Sequence, residues 1–133
     1  MYSFAQHTDI KVVDEPLYGH YLRVSGADHP GRDDIIATMN CDGDAVIAAL
    51  LAEQIAMPRP RLFLKNMAHH LVDLDLAFLH EMQNIFLVRD PREMLPSLTV
   101  QLPDANLKDT GMRQQWELFA ALEEKGQRPT ILD

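Results

Sequence analysis

Four short runs of strand-forming residues constrain this sequence most: residues 10–13 (IKVV), 61–65 (RLFLK), 84–88 (NIFLV) and 130–132 (TIL). The second and third are almost continuously apolar. A strand that is half exposed alternates apolar with polar residues, whereas a strand buried on both faces does not. Such buried strands belong to parallel sheets covered by helices. Each run is separated from the next by stretches with helical patterning, so the expected fold is α/β, a mainly parallel sheet with helices on both faces. An α+β arrangement is the competing reading.

The punctuation between the runs supports that order. Residues 1–6 have helical character, and the strand at 10–13 is stopped by Asp14, Glu15 and Pro16. Residues 17–31 are aromatic and turn-rich and end in the breaker pair Pro30-Gly31. An amphipathic segment comes next at 33–39, then an apolar helix at 44–56, which Asp42 or Asp44 can cap and beyond which lie Pro58 and Pro60. Short helices are expected at 67–72 and 76–82, a helix from Pro91, and a longer one over 111–125 closed by Gly126. Trp116, Leu118, Phe119 and Leu122 share helical spacing in that last helix and are expected in the core.

The 133 residues suit one domain, expected to be partial. A helix precedes the first strand, and the sequence ends within the fourth, so the domain reads as cut at both ends. In a doubly wound sheet the first strand and the loop after it hold a ligand phosphate. Here the six glycines are scattered, and no GxxxxGK[ST] pattern occurs. The expectation is therefore a fold lacking its first strand and phosphate loop.

Twelve basic against twenty acidic residues, a net charge of −8, argue against a general nucleic-acid binder. A few convergent cations can still hold a small anion. No apolar run is long enough to cross a membrane as a helix, so no membrane partner is expected. The single cysteine, Cys41, fits a reducing cytoplasm and a loop or helix-end role. The six histidines form no metal-binding pattern such as HExxH, so no metal is expected.

Chemistry concentrates in residues 84–98 (NIFLVRDPREMLPSL). A strand ending at Val88 delivers Arg89 to the carboxyl edge of the sheet, and Asp90-Pro91 turns the chain into a helix. Ser97 lies two turns along it. A guanidinium fork and a hydroxyl so placed can grip one phosphate. An Arg-Asp pair after a strand also serves as a plain structural cap. The run FLVRDPREMLPS, however, resembles the signature of cytosolic-type sulfotransferases, in which an Arg at a strand end and a Ser eight positions on bind a 3′-phosphate. VVDEPLYGHYLRVSGADHPGR and RLFLKNMAHHLVDLDLAFL resemble a bacterial sulfotransferase-like family. Related domains of that family occur fused to branched-chain aminotransferase-like proteins. No pyridoxal-lysine context is visible here, so that label is set aside.

The resemblance implies a fold of the phosphate-loop nucleotide-binding class and a transferase. Its donor is 3′-phosphoadenosine 5′-phosphosulfate, with Arg89 and Ser97 as cofactor contacts and a small-molecule hydroxyl or amine as acceptor. Such domains carry a Lys-x-His element after the second of these strands, its His serving as general base. In KNMAHH, Met67 stands at that spacing from Lys65, and His69 and His70 come after it. One of those two is the candidate base. Asp14, Glu15, Tyr18, His20 and Tyr21, after the first strand, are candidates for the acceptor pocket, a rigid proline turn with packed tyrosines being the alternative. Without the loop for the 5′-phosphosulfate, these residues alone are expected to be inactive. Two further readings stay open, a kinase-like nucleotide-binding domain and a non-catalytic remnant or interaction module that self-associates through exposed sheet edges.

Overall fold

The computed structural model describes residues 1–56 and 61–133. The expected prolines at positions 58 and 60 lie outside them. Contacts gather into two compact units, Met1–Asp75 and Leu76–Asp133.

In the first unit, helix α1 (Tyr2–Ala5) leads to strand β1 (Ile10–Asp14). Helices α2 (Tyr18–Ser25), α3 (Arg32–Thr38) and α4 (Gly43–Ala56) carry the chain back to β2 (Arg61–Lys65). The two strands pair in parallel, from Ile10 against Arg61 to Asp14 against Lys65. A 3₁₀ turn, Ala68–His70, comes directly after β2. Phe4 stacks on Phe63 of β2, ring centroids 4.4 Å apart. Leu17, Leu22 and Ile47 form the buried core of this unit.

Residues 17–31, expected as turns, contain α2. Gly19, two tyrosines, a histidine and a valine make this a weak helix former by propensity. Packing supplies what propensity lacks, because Leu17, Gly19, His20 and Leu22 are buried. A Cβ at Gly19 would stand 2.9 Å from Met39 Cβ and 3.3 Å from Cys41 Sγ. Only a glycine lets the helix lie that close to its neighbour. Asp42, one of the two expected caps, accepts the Ala45 N–H at 3.0 Å and so starts α4.

In the second unit a 3₁₀ helix, Leu76–Glu81, precedes β3 (Ile85–Leu87), α5 (Pro91–Gln101), α6 (Met112–Glu124) and β4 (Thr130–Leu132). β3 and β4 also pair in parallel, Phe86 opposite Ile131. Asn84 Nδ2 donates to Gln127 Oε1 at 2.9 Å, and Gln127 Nε2 donates to the His80 carbonyl at 2.8 Å. These amides clasp the entrances of both strands. The core holds Phe78, Leu79, Phe86 and Leu122. Trp116 is not part of it, being 68% exposed, although Leu118 and Phe119 are half-buried as their spacing requires.

The fold is thus α/β with parallel strands, distributed among the described residues over two two-stranded sheets. Among those residues no single helix is long and apolar enough to cross a membrane.

Candidate functional site

The register of the first sheet brings the last residues of β1 and β2, Asp14 and Lys65, side by side. The segments leaving the two strands therefore emerge at one carboxyl edge. Glu15 turns the chain there with φ of 44°, a left-handed conformation that costs a non-glycine residue about 1 kcal/mol or more. Two bonds hold it. Its N–H donates to the Lys65 carbonyl at 2.8 Å, and its carboxylate pairs with the Lys65 ammonium. Asp14 Oδ1 approaches the same ammonium at 3.5 Å. Burial works against the charged lysine, but the hydrogen bond and charge of Glu15, with Asp14 behind, outweigh it and raise its pKa.

Pro16 and Leu17 then start α2, whose Tyr18 and Tyr21 lie one turn apart on one face. The 3₁₀ turn after β2 inserts His70 against both. Its ring stacks on Tyr21 at 4.9 Å and 29°, and on Tyr18 at 5.2 Å and 27°. His69 meets Tyr21 and His70 edge-on, at 5.1 and 4.7 Å. His29, which no sequence pattern picks out, reaches the edge of Tyr18 at 5.5 Å. His70 is 2% exposed, and its Nδ1 has no hydrogen-bond partner among the described residues. Burial, reinforced by the neighbouring His69, lowers its pKa to about 4, so the ring is neutral at pH 7. Burial, then Glu15 and Tyr21, raise the Tyr18 pKa.

His20 does not join this cluster. It is 3% exposed, and both ring nitrogens are taken by backbone groups. The Gly43 N–H donates to Nδ1 at 3.2 Å, which places the proton on Nε2, from where it is donated to the Val72 carbonyl at 2.8 Å. The ring fastens the start of α4 and the segment after the 3₁₀ turn to α2. Its part is to position other elements.

In the second unit the strand-to-helix turn forms as its residues dictate. The Val88 N–H still donates to the Leu132 carbonyl at 2.8 Å, so Arg89 is the first residue free of the ladder. Asp90 accepts the Arg92 N–H at 2.8 Å and caps α5 with Pro91 in the first turn. The Arg92 guanidinium, then its backbone N–H, hold the Asp90 carboxyl below its usual range. Arg89 Nε lies 3.6 Å from Glu93 Oε2, with both side chains mostly exposed. Ser97 is also exposed, on α5. Among the described residues this exposed guanidinium pairs with a surface carboxylate, a pairing of little strength. Among the described residues no group of three or more His, Cys, Asp or Glu side chains is placed to hold a metal.

The sulfotransferase domain family model matches residues 1–125. The sequence is 31% identical to branched-chain-amino-acid aminotransferase-like protein 2 of Arabidopsis thaliana, over all of this chain and 23% of that protein. It is 30% identical to branched-chain-amino-acid aminotransferase-like protein 1 of the same plant, over all of this chain and 24% of that one. The chain therefore spans about a quarter of the length of these curated relatives. No solved structure matches.

Proposed function

The chain belongs to the sulfotransferase domain family, and on that premise we propose that it serves transfer of a sulfuryl group to a small-molecule hydroxyl or amine. The donor in this reading is 3′-phosphoadenosine 5′-phosphosulfate, which when bound supplies the activated sulfur and a phosphate leaving group. The family match over residues 1–125 carries the reading, and the carboxyl-edge chemistry of both parallel pairs supports it.

In this proposal Arg89 and Ser97 hold the 3′-phosphate. Both are exposed, Arg89 just beyond the end of β3 and Ser97 on α5, and Arg89 has a 3.6 Å surface ion pair to give up. Tyr18, Tyr21, Glu15 and Asp14 line the acceptor side, with Lys65 fixing the two carboxylates. Between the two candidate bases, His69 fits the role. It is half-buried at the rim of the aromatic cluster, whereas His70 lies closed between two tyrosines. A general base works best with a pKa near the working pH, and His70 at about 4 is too weakly basic. His69 would take the acceptor proton as the acceptor oxygen or nitrogen bonds to sulfur and the bond from sulfur to the phosphate oxygen breaks. His70 and Tyr21 hold the His69 ring in place.

No GxxxxGK[ST] phosphate-loop pattern occurs in the 133 residues, and in this reading stabilisation of the transferred sulfuryl is not assigned to any of them. These residues alone are expected to bind 3′-phosphorylated nucleotide without turnover. Calorimetry with adenosine 3′,5′-bisphosphate against magnesium adenosine triphosphate tests the assignment. Preference for the bisphosphate, weakened by Arg89→Ala, is the expected result. Preference for the triphosphate, indifferent to Arg89, favours the kinase-like reading and overturns this one.

A further inference from the structure

A strand at the edge of a sheet offers its outward N–H and C=O groups to any other strand, and proteins block such edges. Three of the outer edges carry a blocking bond. Gln54 Oε1 accepts the outward Leu62 N–H of β2, and Gln115 Nε2 donates to the outward Leu87 carbonyl of β3 at 3.1 Å. On β1 the Ile10 N–H turns back to the His7 carbonyl at 3.2 Å. The edge of β4 differs. The Thr130 N–H donates to the Asn84 carbonyl at 2.9 Å, and the Leu132 carbonyl accepts from the Val88 N–H at 2.8 Å. Both residues thus turn their main chain toward β3, and the alternation along a strand turns the Ile131 N–H and C=O outward. Among the described residues no such bond is made at Ile131. Every residue of β4 is exposed, and Leu132 pairs with Leu87, itself 70% exposed, so the edge is apolar.

Charge selects what fits there. Arg128 precedes the strand and Asp133 follows it, both exposed. A second copy laid antiparallel, Ile131 against Ile131, sets each Arg128 beside Asp133 of the other copy. A parallel copy sets like charges together, which is unfavourable. In the antiparallel register the two Ile131 residues exchange both main-chain bonds, and each Asp133 N–H reaches the Pro129 carbonyl across the seam. Sliding one way puts Pro129, which has no N–H, against Ile131; sliding the other way parts Arg128 from Asp133.

We propose that β4 is a self-pairing edge through which two copies of this chain form a dimer, merging two parallel pairs into one four-stranded sheet. The contact is the same on both copies, so it closes at two. It uses none of the residues assigned to nucleotide or acceptor.

Sedimentation equilibrium of the 133-residue chain from micromolar to millimolar concentration should show monomer passing to dimer and nothing larger. Ile131→Pro removes the outward N–H but keeps the bonds of Thr130 and Leu132 to β3, and should weaken the dimer about ten-fold. Arg128→Glu and Asp133→Lys should each weaken it roughly five-fold, and the double variant should regain wild-type affinity. Circular dichroism checks folding; if Ile131→Pro unfolds, the charge exchange decides. A monomer at millimolar concentration, open-ended aggregation, or a dimer indifferent to folded Ile131→Pro overturns the proposal. A double variant no tighter than the single ones overturns the antiparallel pairing and with it the proposed dimer.

Discussion

The imidazole of His70 lies on the phenol ring of Tyr21, centroids 4.9 Å apart and planes 29° from parallel. The histidine is thereby sealed from water in its neutral form. Protonating it would leave a cation among Tyr18, Tyr21, His69 and Lys65, with the Glu15 carboxylate as the compensating charge.

That arrangement makes the fold sensitive to mild acid. The folded-state pKa, about 4, is below the ordinary histidine value of 6.5, so between these limits the unfolded chain binds more protons. Stability is fully present above pH 6.5 and is lost as pH falls, by at most about 1.4 kcal/mol per pH unit down to about 4. Thermal melts at about pH 7.5, 6 and 5 should show a steeper loss for the wild-type chain than for His70→Phe. Parallel loss in both would refute the account.

Gly43 starts α4 in a space with no room for a side chain. An added Cβ would stand 2.5 Å from Leu74 Cδ2 and 2.8 Å from His20 Cγ. Gly43→Ala should destabilise by about 1–3 kcal/mol despite alanine's better helix propensity, because the buried His20 ring cannot yield without breaking its bonds. His20→Ala should cost a similar amount by orphaning the Gly43 N–H and the Val72 carbonyl. Urea denaturation of each variant measures both. A stabilised Gly43→Ala protein would show that the ring moves freely.

Glu93 competes with any anion for the Arg89 guanidinium. An exposed pair of this kind is worth about 0–1 kcal/mol. Glu93→Gln should therefore strengthen binding of adenosine 3′,5′-bisphosphate by up to about five-fold, and more at low salt. Calorimetry at two ionic strengths reads this. Weaker binding in Glu93→Gln would mean that Glu93 orients Arg89 instead of obstructing it.

The strands are legible because each is a compact, largely apolar run with Asp, Asn or Pro close to its ends, and the register of β1 on β2 adds only what a sequence cannot contain. Helix α2 is not legible, since its residues favour a helix only once Gly19 lies against Met39 and Cys41. His20 shows the same limit at the site. As a residue type after a strand it suggests a pocket, and only its partners at Val72 and Gly43, far off in sequence, reveal a clamp. The adjacency of His69 and His70 can be read directly. Their different fates cannot, because Tyr18 and Tyr21 close over one ring and leave the other at the rim. Helical spacing likewise puts Trp116 with Phe119, but spacing does not say how wide a face the sheet can cover.

Each parallel pair has only two strands among the described residues. A ribbon of two strands is marginal in water, and a parallel one draws less from each bond than an antiparallel one. The amides of β1, β2 and β3 therefore borrow their protection from the helices packed beside them, whereas β4 is exposed along its length. In hydrogen exchange, Val12 and Phe63 should open together with α2 and α4, and Phe86 with α6, with no slow-exchanging core confined to either ladder.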